Sequence, residues 1–177
     1  MGDPDPTQSP RKESGNQPTT IRVGSFEVPI DRYFEPEHHL WVSVTGGEAR
    51  VGLDVLGQEV SGTIAFVSLL SVGTRVEKGE PFGSIESAKY VGQLVAPVSG
   101  GVAAVNERVV GDARLLNRDP FGAGWLIVLR GVGPEELAAL VHGEDAIRKY
   151  FVDAIDAYRR RGVLAEPSPS SATGGPR

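Results

Sequence analysis

Three histidines, a scatter of serines and one lysine are the groups in this sequence whose types and spacing could do chemistry. His38, His39 and His142 titrate near neutrality without help from their surroundings. His38 and His39 are adjacent, so an extended segment points them to opposite faces, and no cysteine or glutamate-rich spacing completes a metal shell. Ser61, Ser68, Ser87 and Ser99 stand in no strand-elbow-helix context with a histidine, which argues against a hydrolase triad. Gly122-Ala123-Gly124 and Gly131-Val132-Gly133 lack the spacing and flanks of a dinucleotide loop and read as turns. Asp153 and Asp156 fit the wet face of a terminal helix better than a catalytic pair. The sequence thus reads as having neither a catalytic nor a metal site. Lys89 stands apart: a strand ending near Glu86 and another from about Gln93 to Ala96 put its amine at an exposed connection. Exposure alone says little, because a turn lysine is ordinarily only a solvated residue.

The elements that must hold this lysine can be read from periodicity. Leu40-Trp41-Val42-Ser43-Val44 alternates, residues 45–48 turn, and residues 49–53 alternate again, which predicts a hairpin. Asp54 then has the position of an N-cap for a short helix over residues 54–58. An internal repeat follows, in which Gly62-Thr63-Ile64-Ala65-Phe66-Val67 is echoed about 39 residues on by Gly101-Val102-Ala103-Ala104-Val105-Asn106. Glu80-Pro81-Phe82-Gly83 is matched at the same offset by Asp119-Pro120-Phe121-Gly122, ahead of a strand at 125–129. Each half reads as strand, glycine turn at Gly73 or Gly111, polar loop and strand, so the expected fold is mainly β: a flattened β-sandwich with pseudo-twofold symmetry. C-terminal helices are expected from about residue 134, where Pro134 opens one and Ile147, Tyr150, Phe151, Ala154, Ile155 and Tyr158 line one face of another.

Composition sets the remaining bounds. Residues 1–20 and 162–177 are rich in Pro, Ser, Gly and polar side chains and are expected to be disordered tails around a folded body at 21–161. A formal charge of −5 argues against a nucleic-acid groove. No run approaches membrane-spanning length and no secretory signal is visible, so a cytoplasmic monomer is the expectation. With no cysteine in the chain, any thiol chemistry must come from an attached group.

The segment Glu86-Ser87-Ala88-Lys89, followed by Ala96-Pro97-Val98-Ser99-Gly100, resembles the lipoylation segment of glycine cleavage system H proteins. His39-Leu40-Trp41, Val51-Gly52-Leu53, Gln58, Lys78-Gly79-Glu80 and the run from Asn117 through Gly124-Trp125-Leu126 are similar to that family's landmarks in order and spacing. The resemblance spans about residues 32–158 and implies a lipoyl carrier of the barrel-sandwich type that catalyses nothing by itself. It further implies lipoate in amide linkage to Lys89, with Glu86, Ser87 and Ala88 forming the turn that a lipoyl ligase or transferase recognises. The implied partners are glycine decarboxylase, aminomethyltransferase and dihydrolipoamide dehydrogenase, between which the arm moves an aminomethyl group and reducing equivalents.

Two positions depart from the family pattern. Leu40 stands where the family has glutamate between His and Trp, and Gln93 where an acidic residue usually follows the lysine by four; both family carboxylates lie near the carried amine. Glu37 or His38 could substitute from nearby. Alternatively the cycle tolerates the loss, or the carrier serves another lipoate-dependent system, as do the H-like lipoate-binding proteins of heterodisulfide-reductase-like sulfur-oxidation complexes. Tyr90-Val91, where small residues are usual, alters the surface a partner reads. A biotin carrier shares the fold but flanks its lysine with methionines, where Ala88 and Tyr90 stand here.

Overall fold

The computed structural model describes residues 19–165. Most of both expected tails, 1–18 and 166–177, lies outside the described residues. Strands β1 (Thr20–Val23) and β2 (Phe26–Pro29) form a hairpin, followed by β3 (Tyr33–Glu35), β4 (Leu40–Thr45) and β5 (Glu48–Leu53). Helix α1 (Val55–Ser61) leads to β6 (Ile64–Leu69), β7 (Arg75–Val76), β8 (Pro81–Ser87), β9 (Val91–Val95) and β10 (Gly100–Val105). Short helices α2 (Glu107–Gly111) and α3 (Leu115–Arg118) precede β11 (Trp125–Arg130), and α4 (Pro134–Ala138) and α5 (Glu144–Arg160) follow it.

The β4–β5 hairpin forms where alternation predicted it, with Leu40 opposite Leu53 and Thr45 opposite Glu48. Asp54 caps α1, accepting from the N–H groups of Leu56 at 2.8 Å and Gly57 at 2.9 Å. Six strands in the order β3-β4-β5-β11-β10-β7 make one sheet, and β6-β8-β9 make another. Their inward residues, among them Val51, Phe82, Ile85, Leu94 and Leu129, form one buried core. This is the expected flattened sandwich.

The internal repeat corresponds to two antiparallel pairs, β6–β8 in the smaller sheet and β10–β11 in the larger. Their connections differ. The stretch expected to be a polar loop after Gly111 is instead built around α2 and α3, and Gly111 is the last residue of α2 rather than the centre of a turn. The cause is tertiary: Asn106 caps α2 while its Nδ2 donates to the carbonyls of Ala123 and Trp125, and Leu115 and Leu116 bury their side chains.

Pro134 occupies the first turn of α4, as its fixed φ favours. Helix α5 buries Ile147, Phe151 and Ile155 at helical spacing against Ile21, Val28, Phe34 and Trp41, making a second core outside the sandwich. Phe34 meets Phe151 edge to face at 5.2 Å between ring centroids. The chain then turns back so that Leu164 packs on this cluster.

Candidate functional site

Strands β8 and β9 pair from Pro81↔Val95 to Glu86↔Val91, leaving residues 88–90 as their connection. The Ser87 N–H donates to the Tyr90 carbonyl at 2.8 Å and closes this turn. The Ser87 hydroxyl donates to the Ser61 carbonyl at 2.6 Å, which pins the turn to the end of α1. Ser87 is therefore buried, whereas Glu86, Ala88 and Lys89 are exposed. Of the four residues singled out by sequence, one anchors the turn and three face solvent.

A second set of hydrogen bonds supports the same junction from below. Asn117 Nδ2 donates to the Gln58 side chain at 3.1 Å and to the Gly62 carbonyl at 2.9 Å, while its Oδ1 accepts from the Ile64 N–H at 2.9 Å. Gln58 and Asn117, distant in sequence, thus meet beneath the segment that Lys89 overlies. Both residues stand among the landmarks of the sequence, but no period in it pairs them, and Ser61, named there only among the serines without a triad context, acts here through its backbone carbonyl.

Beside the turn lies a cleft of about 180 Å³, bordered by Glu37, His38, Tyr90, Gln93 and Tyr158. The Tyr90 ring folds over Gly92, where a Cβ would come within 2.1 Å of its hydroxyl. Leu40 is fully buried in the sandwich core and does not line the cleft, but Glu37 and His38 do. The Glu35 carboxylate, next to them, already accepts from the N–H groups of Glu37 at 3.0 Å and His38 at 2.7 Å. Those bonds account for the closeness of Glu35, Glu37 and His38, which otherwise has the look of a ligand cluster.

The rear of the cleft is held by a polar chain that runs inward to the α1 cap. Tyr150 donates to Asp54 Oδ2 at 2.9 Å, His39 Nδ1 lies 2.8 Å from the Tyr150 hydroxyl, and His39 Nε2 bonds the Tyr158 hydroxyl. With Tyr150 donating to the carboxylate, the order of partners fits an imidazole protonated at Nδ1 and accepting at Nε2. Burial raises the Tyr150 phenol above its ordinary value, reinforced by the Asp54 charge, and burial raises Tyr158 as well. His39 adopts a left-handed backbone conformation, φ 57°, that non-glycine residues seldom take. Asp54 accepts from α1 and α5 alike, so this chain ties the helices to the wall of the cleft.

Residues 32–153 match the model of the family described as glycine cleavage H-protein. The chain belongs to this family. An H protein of Mycobacterium bovis (strain BCG / Pasteur 1173P2) is 40% identical over 141 residues, covering 79% of this chain and 98% of that one. A probable glycine cleavage system H protein of Haloarcula marismortui is 47% identical over 106 residues, 59% of this chain and 82% of its own. The crystal structure of a glycine cleavage system H protein from Mycobacterium marinum is similar at a TM-score of 0.60 and 34% identity, covering 69% of this chain and 98% of that one. H proteins are carrier subunits of the glycine cleavage system, and carrying lipoate is general to the family. Among the described residues no helix is long and apolar enough to cross a membrane.

Proposed function

We propose that this chain is the lipoyl carrier of a glycine cleavage system, with residues 21–161 as the carrier unit and Lys89 as the lipoylated residue. The observation that carries the reading is the exposed Lys89 amine on a turn anchored from within by Ser87. A ligase or transferase needs such an amine, free to attack an activated acyl group and held where an active site can close around it.

The residues present fit the group. Lys89 is exposed, joins none of the ion pairs among the described residues, and stands next to a cleft with apolar and polar walls. When attached, lipoate supplies the dithiol that a chain without cysteine lacks. The protein's own task is mechanical and electrostatic. Ser87 and Asn117 hold the base of the arm, Tyr90 and Tyr158 form apolar walls with polar tips, and Glu37 offers a carboxylate to a cationic amine brought into the cleft. Glu37 thereby takes the role left open by Leu40, whose burial directs it to the core. The presence of that carboxylate favours an amine-carrying arm over one that serves sulfur oxidation.

The partners in this reading are glycine decarboxylase, aminomethyltransferase, dihydrolipoamide dehydrogenase and the lipoate-attaching enzyme, each visited by a monomeric, non-catalytic carrier. Supplying the lipoylated protein to the decarboxylase and aminomethyltransferase and following glycine–bicarbonate exchange tests it. Exchange that depends on the protein is expected; lipoylated protein that supports none would overturn the assignment.

A further inference from the structure

On the outer face of the β6-β8-β9 sheet, the row nearest Lys89 holds two strongly exposed large apolar side chains. Phe66, Glu86 and Val91 are cross-strand partners in register, so their side chains share one face. Phe66 is 68% exposed and Val91 73% exposed. The next outward row is Ser68, Ser84 and Gln93, the composition expected of a sheet face turned to water. Strand spacing places Phe66 and Val91 about 10 Å apart with the Glu86 carboxylate between them. Tyr90 does not belong to this row, because its ring folds back over Gly92 toward the cleft.

Two strongly exposed large apolar side chains flanking an acid, in the strand row next to the modifiable lysine, are a recognition pattern with a definite complement. Glu86 takes part in none of the ion pairs among the described residues, so its charge is free to meet a partner. The complement is an apolar lip carrying a basic side chain, set at the mouth of an active site that must admit the Lys89 amine.

We infer that the Phe66–Glu86–Val91 row is the docking surface for the enzyme that acylates Lys89, so that recognition is read across three strands rather than along residues 86–88 alone. The inference rests on Lys89 being the acylated residue and adds Phe66 and Val91 as determinants of its recognition. Docking through this row lowers the carrier concentration at which acylation half-saturates, while the amide-forming step, in which the Lys89 amine displaces the leaving group of the activated acyl donor and loses a proton, proceeds unchanged.

Steady-state lipoylation with a lipoyl ligase, lipoate and ATP separates the two ideas. Phe66→Thr with Val91→Thr keeps strand-compatible side chains at exposed positions, so thermal unfolding should match the parent. The double variant is expected to raise KM for the carrier about tenfold with kcat little changed, as loss of an anchoring apolar contact does. Val72→Thr, at an exposed apolar position on the β6–β7 connection, is the control and should leave KM unchanged. An unchanged KM in the folded double variant, an equal rise in the Val72 control, or a parent dimer in light scattering that the double variant dissociates would each overturn the inference. If the parent is lipoylated normally at Lys89 while these results fail, the docking row is wrong and the carrier assignment stands.

Discussion

The aliphatic stem of Lys89 lies across Gly62: a Cβ at residue 62 would stand 2.7 Å from Lys89 Cε and 3.5 Å from Nζ. Gly62 ends α1 at φ 75°, ψ −155°, a conformation essentially confined to glycine. The lysine that carries the proposed function therefore rests on the one residue of that junction that leaves it room.

Gly62→Ala is accordingly expected to do two things. It should lower stability by about 1–3 kcal/mol through backbone strain, read from urea denaturation. It should also slow lipoylation of the remaining folded protein, because the displaced stem no longer has one resting place. Unchanged stability would mean that this junction tolerates a side chain and that the strain argument fails.

Asp54 joins two functions that separate variants can tell apart. Asp54→Ala removes the α1 cap and leaves the buried Tyr150 hydroxyl without its acceptor, an expected loss of about 2–4 kcal/mol. Asp54→Asn retains an acceptor for the cap and should cost less. Urea midpoints of the two variants against the parent check the order.

Alkali should weaken the fold through the same network. The Tyr150 phenol has its pKa raised in the folded chain, chiefly by burial and then by Asp54, so the native state holds a proton that the unfolded state releases near pH 10. That stability is fully present below the unfolded value and is lost as pH rises above it, at about 1.4 kcal/mol per pH unit for one phenol. Tyr158 shifts in the same direction. Denaturation midpoints measured from pH 8 to 11 should fall only in the upper part of this range, and Tyr150→Phe should flatten the decline.

Much of this architecture is local and therefore visible in the residues. The β4–β5 hairpin, the Asp54 cap, the Pro134 helix start and the buried stripe of α5 each follow from a period or a cap that neighbouring residues define. The β10–β11 connection was not legible, since Leu115 and Leu116 make too short a pattern to announce a helix and Asn106 fixes it through contacts with residues 123 and 125. The β1–β2 hairpin likewise owes its place to packing on α5. At the site, turn chemistry placed Lys89, but the bonds that brace it join Ser87 to Ser61 and Asn117 to Gln58, pairings that no sequence period encodes. Leu40 is instructive in the other direction, because strand alternation alone sends it to the core face, away from the cleft.

Glu37 tests the polar side of the cleft. Glu37→Gln keeps the shape of the side chain and removes its charge, so lipoylation should proceed as in the parent while glycine–bicarbonate exchange falls several-fold. Equal exchange in both proteins would show that the Glu37 charge does not hold the carried amine.

Acylation at Lys89 is read from the intact mass of the protein after incubation with a lipoyl ligase, lipoate and ATP, beside a Lys89→Arg variant that keeps the charge. One lipoyl increment in the parent and none in the variant is the predicted result. An unmodified parent, or an increment that persists in the variant, would contradict it.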